Sequence, residues 1–338
     1  MGLKVGICGF GGLGHMHANA LATMADVEIT AVCDARAEQL KAKEVKFNID
    51  TGKKQFDISR CRTYDDFGKM LKKEKPDVVV TALPTDLHAK TAIQALRAGC
   101  HVFSEKPMAL NVKECDKMLR ARDRAQRQLM IGQCLRFWPE YEALLRAIKE
   151  KTYGPLLSLS MERIGEYSKW SDGNWFNDVK RSGGAMLDLH LHDVDWVQHA
   201  LGRPAGIWAA GIIGKTGGYD DITAVWEYAG GPMVSIRCSW LHTGFTMNFR
   251  AMFEQAVLDY GIPPDPALRV KFQDQKEWQK VDVPTGSGYT KELRYFLDCV
   301  QGKQTNTICT PESTRESIAF IEIERKSILK KKRIALTT

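Results

Sequence analysis

No stretch of this sequence reaches the ~20 consecutive apolar residues that a bilayer-spanning helix needs, so no helical membrane anchor is expected. Its cysteines never stand at C-x-x-C spacing. The nine, Cys8, Cys33, Cys61, Cys100, Cys115, Cys134, Cys238, Cys299 and Cys309, are odd in number and widely scattered. That argues against a zinc site, a dithiol redox motif and a disulfide framework, and for reduced, buried thiols in a cytoplasmic protein. No internal repeat and no low-complexity tract occurs. Met1-Gly2-Leu3-Lys4-Val5 enters an apolar strand at once, so no signal peptide is expected, and Leu3 in buried structure sets aside the myristoylation reading of Gly2. Charge is not massed over a long face either. Much of the net +7 comes from local clusters such as Lys330-Lys331-Lys332-Arg333, a solvated helix end, and no nucleic-acid partner is expected.

What is present is an ordinary soluble composition, 44% hydrophobic and 26% charged over 338 residues, with room for two domains. The first 125 or so residues alternate strand and helix signals. Strands are predicted at 3–8, 28–33, 77–83 and 100–104, with a fifth at 128–133; helices are predicted from the Gly9–Gly14 segment to residue 24, and at about 64–74, 86–98 and 111–127. Asn111 with Glu114 is a capping signature for the last of these helices. Nearly all-apolar strands in such alternation predict a parallel sheet covered on both faces. Beyond Pro139 the pattern changes to longer alternating runs, 156–163, 206–213, 222–228, 233–240 and 245–254, which predict a mostly antiparallel sheet. Helices are expected at 139–149, 184–201, 291–301 and 311–331. The fold class is therefore α/β, with the domain boundary placed at 125/126 and a C-terminal helix free to pack back on the first domain.

Between the first strand and first helix stand Gly9-Phe10-Gly11-Gly12-Leu13-Gly14, a G-x-G-x-x-G turn. Gly9 permits a tight turn, Gly11 keeps no side chain in the way of a pyrophosphate, and Gly14 lets the helix lie close on the strand. Twenty residues beyond Gly14 the second strand ends in Asp34, placed to accept hydrogen bonds from adenosine-ribose hydroxyls. A dinucleotide cofactor is expected. Asp34 favours NAD by repelling a 2′-phosphate, while Arg36 leaves NADP possible.

Other strand ends carry polar residues. After the third, Leu83-Pro84-Thr85-Asp86-Leu87-His88 turns into a helix that Thr85 or Asp86 is expected to cap. After the fourth comes Glu105-Lys106-Pro107, with Lys106 held extended before proline, in a trans or cis bond. An amine at that edge, partly out of water beside a cationic nicotinamide, suits accepting a proton from a substrate hydroxyl. The interrupting helix holds Asp188 and His192 four apart on one face, an acid–imidazole pair able to bind a sugar hydroxyl and relay its proton. His190 points about 200° away from His192, so no metal is expected there.

This ordered set, with Gly183-Gly184 ahead of Asp188 and a tail running from Glu292-Leu293-Arg294-Tyr295-Phe296 to Thr310-Pro311-Glu312-Ser313, resembles the glucose–fructose oxidoreductase/inositol dehydrogenase/MocA family along essentially the whole chain. The resemblance implies an N-terminal Rossmann NAD(P)-binding domain. It also implies a C-terminal α/β domain with an open-faced, mostly antiparallel sheet for substrate binding and oligomerisation, through which homodimers or homotetramers form. It implies oxidation of a secondary alcohol of a sugar, cyclitol or related polyol, with Lys106, Asp188 and His192 as the catalytic trio. The residues implied at the cofactor are Gly9, Phe10, Gly11, Gly12, Leu13, Gly14, Asp34, Arg36, Leu83, Pro84, Thr85, His88, Glu105 and Lys106. Arg163 and Trp175 are candidate substrate contacts or structural residues, and Trp170, Trp175 and Phe176 candidate stacking surfaces for a sugar. The sequence departs from the family at His190, where glycine is common. Two other functions fit the same motifs: glycoside processing by tightly bound NAD in a transient redox cycle, and a non-catalytic dinucleotide-binding regulator.

Overall fold

A computed structural model of the chain describes residues 2–41, 56–168, 172–263 and 265–336. It divides into two compact units, Met1–Cys134 with Tyr289–Arg315, and Leu135–Gly288 with Glu316–Thr338. Among the described residues no helix is long and apolar enough to cross a membrane.

The first unit is built on six strands: β1 (Leu3–Cys8), β2 (Val27–Cys33), β3 (Arg62–Tyr64), β4 (Val78–Thr81), β5 (His101–Glu105) and β6 (Leu129–Gly132). They lie in the order β3-β2-β1-β4-β5-β6, every pair parallel. Val78, Val79, Val80, Val102, Phe103, Leu129, Met130 and Ile131 are all buried, as a sheet covered on both faces requires. The order reverses direction at β1, so β1 and β4 diverge at their carboxyl ends and leave a crevice there.

Among the described residues, four α-helices lie between the strands: α1 (Gly12–Leu21), α2 (Phe67–Glu74), α3 (Thr85–Arg97) and α4 (Val112–Ala125). Asn111 caps α4 as its spacing predicts, its side-chain oxygen accepting from the Glu114 N–H at 3.0 Å. The cap expected of Thr85 or Asp86 is corrected. Thr85 is the first helical residue, and Pro84 precedes it at the cap position without a side-chain hydrogen bond. Proline's fixed φ sets the entry instead.

The second unit contains α5 (Pro139–Glu150), β7 (Leu156–Glu166), α6 (Val179–Ser182), α7 (Leu191–Leu201) and β8 (Gly206–Ile213). These are followed by β9 (Tyr219–Glu227), β10 (Met233–Ser239), β11 (Leu241–Phe253), β12 (Ala256–Tyr260), β13 (Arg269–Phe272) and β14 (Gln279–Lys280). The chain closes with α8 (Gly288–Val300), α9 (Pro311–Lys330) and β15 (Ile334–Ala335). The second sheet has nine strands in the order β14-β13-β12-β11-β7-β10-β9-β8-β15. Its pairs are antiparallel apart from β10 with β7, so the sheet is mixed. Alternate residues of β9 and β10, such as Ile222, Ala224, Trp226, Val234 and Ile236, are fully buried. The other face is open and carries Trp208, Met233 and Met252, each exposed.

One boundary and one helical winding differ from the sequence expectation. The first unit extends past residue 125 because β6 pairs with β5 and completes the parallel sheet. The helix expected at 184–201 is present without a break, set off from α6 by Gly183 (φ +81°), but Met186–His190 is wound as a π-turn that runs directly into α7 at Leu191.

Candidate active site

In the first unit the glycine turn behaves as three separate requirements. A Cβ on Gly9, whose φ is +92°, would fall 2.2 Å from the Ala82 carbonyl oxygen, and one on Gly14 would fall 2.1 Å from the Gly9 oxygen. The fold itself needs both to be bare. Gly11 is different: a Cβ there would meet nothing within 4 Å, and its φ of −76° suits any residue. Open space therefore faces the first turn of α1, whose leading N–H groups have no intrahelical partners. That cradle fits a dinucleotide pyrophosphate. Gly12 and Leu13 border it, half-buried. Phe10 turns its ring inward against His15, centroids 3.9 Å apart, and gives the turn only its backbone.

That backbone is tied to Asp34. The Phe10 N–H donates to Asp34 Oδ2 at 2.8 Å, while Oδ1 accepts from the Arg36 N–H at 2.9 Å and lies 3.4 Å from Arg36 Nε. The carboxylate is braced against the turn and keeps lone pairs for ribose hydroxyls. Leu83 and Pro84 are half-buried after β4, and Thr85 is buried.

His88 is buried, its ring nitrogens 2.7 Å from the Pro107 carbonyl oxygen and 2.8 Å from that of Leu83. Burial pushes its pKa below the ordinary histidine value, against the two carbonyls. The neutral ring donates to one of them at a time. His88 thus braces the end of β4 to the turn after β5. Lys106 in that turn is half-buried, in a cis peptide bond with Pro107.

Glu105 has its own buried partner: Oε1 lies 2.6 Å from His17 Nε2, and Oε2 accepts from the Lys106 N–H at 3.2 Å. Sequence reasoning passed over His17 and gave no role to Glu292 on α8, which is fully buried with neither carboxyl oxygen hydrogen-bonded. Burial, then the charge of Glu105, pushes the Glu292 pKa well above the usual carboxyl range. A signal for it existed. Glu292 shares a helical stripe with Phe296, where only apolar residues are expected.

In the second unit, Asp188 and His192 are half-buried while His190 between them is fully buried. His190 Nε2 lies 2.8 Å from Glu324 Oε2, so the departure from glycine fills the core. Arg163 is 4% exposed and forks onto Asp193, Nε to Oδ2 at 3.1 Å and Nη2 to Oδ1 at 2.9 Å. Arg136 grips Asp195 in the same way at 2.8 and 2.7 Å. Arg163 is thus held by a buried carboxylate on α7. Trp175 stacks on Phe176, centroids 3.9 Å apart, both half-buried. Trp170 lies outside the described residues.

Comparison with known proteins agrees with the fold and the cradle. The family model for the oxidoreductase family with an NAD-binding Rossmann fold matches residues 3–133, and that for the GFO/IDH/MocA C-terminal domain matches residues 141–259. The chain is similar to D-glucoside 3-dehydrogenase of Escherichia coli, 24% identical over 329 residues covering 89% of this chain and 88% of that protein. It is similar to inositol 2-dehydrogenase of Rhizobium meliloti, 26% identical over 298 residues covering 86% of this chain and 81% of that protein. The fold also matches the WlbA dehydrogenase of Bordetella pertussis, solved with NADH and UDP-GlcNAcA, with a TM-score of 0.82, 20% identity and 100% of both chains covered. With both domains matched in order, the chain belongs to the GFO/IDH/MocA oxidoreductase family and carries an NAD-binding Rossmann domain.

Proposed function

We propose that the protein oxidises a secondary alcohol of a sugar, cyclitol or related polyol. The observation that carries this reading is the carboxyl edge of the parallel sheet in the first unit, where an open glycine cradle follows β1, a braced Asp34 follows β2 and Lys106 follows β5. Bound NAD supplies the hydride acceptor. Asp34 binds the adenosine ribose and repels a 2′-phosphate, which favours NAD over NADP. Lys106 takes the proton of the reacting hydroxyl as its carbon gives up hydride. His192 accepts or relays a proton at its imidazole, and Asp188 orients that ring and binds a neighbouring hydroxyl. Trp175, stacked with Phe176, offers an apolar face to a sugar ring.

The dehydrogenase names of the relatives support the substrate class. The open second sheet, with exposed Trp208, Met233 and Met252, supports a homodimer or homotetramer. The testing experiment is a panel of sugars, inositols and glycosides incubated with NAD and NADP separately, read by reduced-nicotinamide absorbance and product analysis. Net NADH formation with one polyol class is expected. Aglycone release without NADH would replace this reading with a closed redox cycle, and dinucleotide binding with no reaction would replace it with a regulatory role.

A further inference from the structure

His190 stands between Asp188 and His192 in sequence and faces the opposite way, into the core. The carboxylate it meets belongs to Glu324 on α9, whose other oxygen accepts from Trp226 Nε1 at 2.8 Å. His190, Trp226 and Glu324 are each 0% exposed. Two further clasps hold the same helix. Ser317 Oγ donates to Asp195 Oδ1 at 2.7 Å, and the Ala209 N–H donates to Ser327 Oγ at 2.9 Å. Phe320 packs on Trp226 between them, centroids 4.8 Å apart. Within the second unit, α9 therefore grips α7 through Ser317, the sheet through Ser327, and the π-turn through Glu324.

The third grip sits where the backbone is least able to hold itself. A π-turn trades i→i+4 bonds for i→i+5 bonds, and such turns are rare, and frequent at functional sites where they do occur. Without a tertiary hold the segment would relax toward α geometry, and the residues on its solvent side would rotate with it. A buried carboxylate is a costly way to fill a core, and apolar residues of the same volume would serve stability at least as well. What the carboxylate adds is direction, because its two oxygens fix two donors at once.

We propose that Glu324 is a positioning residue: by holding His190 from the core side, it sets the π-turn and with it the directions in which Asp188 and His192 present their polar atoms. The inference rests on the roles proposed above for those two residues. Glu324 and His190 touch no ligand, being sealed from solvent, and act only through the backbone they fix.

The test uses the full-length protein and four variants. H190Q keeps a donor toward Glu324, H190A removes it, E324Q disturbs the carboxylate at constant size, and S327A loosens α9 away from the π-turn. Each is measured for melting temperature, NADH affinity by fluorescence, kcat and KM on an oxidised polyol, and the NMR resonances of the His192 ring without substrate. For H190A and E324Q, kcat is expected to fall roughly ten- to a hundredfold, as small misplacement of reacting groups does. KM and NADH affinity should stay within about threefold, since uniform binding is untouched. H190Q is expected to recover most of the loss, and the His192 resonances should shift in H190A and E324Q but not in S327A. Unmoved His192 resonances in folded H190A and E324Q would overturn the proposal, as would a kcat that tracks melting temperature equally in S327A. If the wild-type protein oxidises no polyol, the proposed function fails, while the His192 resonances still decide whether Glu324 sets the turn.

Discussion

His17 Nε2 and Glu105 Oε1 lie 2.6 Å apart with both side chains sealed from solvent. The pair links the middle of α1 to the strand end that carries Lys106, and it places a buried acid within electrostatic reach of Glu292. Removing either partner would strand the other, at a cost of about 1–3 kcal/mol. H17L and E105A should therefore both lower the melting temperature, and the double variant should lose less than the sum of the two.

Glu292 gives the protein a pH dependence of definite sign. Its folded pKa lies above the ordinary 4.5, so the native state holds a proton that the unfolded chain releases. Stability from this group is intact below the unfolded value and declines as pH rises toward the folded one. E292Q, which stays neutral throughout, should melt close to wild type near about pH 4 and above it near about pH 8. Identical pH profiles for the two proteins would contradict the assignment.

The glycine turn separates folding from binding. Gly14→Ala drives a methyl to 2.1 Å from the Gly9 oxygen and should lower stability measurably. Gly11→Ala meets nothing in the protein alone, so its melting temperature should stay near wild type while NADH affinity falls by about tenfold or more. Equal NADH affinity in G11A and wild type would remove the cradle from the account.

Arg163 and Asp193 form a buried fork, and breaking one side leaves a buried charge. R163M should cost about 3–5 kcal/mol, read as a fall in denaturation midpoint. The loss of activity should follow the loss of fold. A variant that folds as wild type but has a selectively raised KM would return Arg163 to the substrate.

The open face of the second sheet carries Trp208 and Met233 at 41% and 63% exposure. W208E with M233E should reduce the assembled mass by sedimentation at unchanged secondary structure. A wild-type chain that already sediments as a monomer would contradict the proposed assembly.

The sequence disclosed the parallel sheet, the glycine turn and the Asn111 cap because each is local: periodicity, spacing and one side-chain hydrogen bond. It did not disclose β12, β13 and β14, which are short strands with little alternation to read. The π-turn is not legible because Asp188 and His192 at i, i+4 fit an α-helix equally well, and spacing carries no mark of the i→i+5 winding. The resemblance sets His88 at the cofactor and leaves Arg163 as a substrate contact or a structural residue, and sequence alone does not show the two carbonyls that face His88 or the buried aspartate that Arg163 grips. Spacing places a polar group near an edge, but only packing tells which way it turns.

The most direct test of the central claim is turnover and cofactor affinity of K106M beside wild type, on whichever polyol the panel identifies. The proposed base predicts a loss of kcat of about 10²–10⁴-fold, with NADH affinity held within a few-fold. Wild-type turnover in K106M would contradict it.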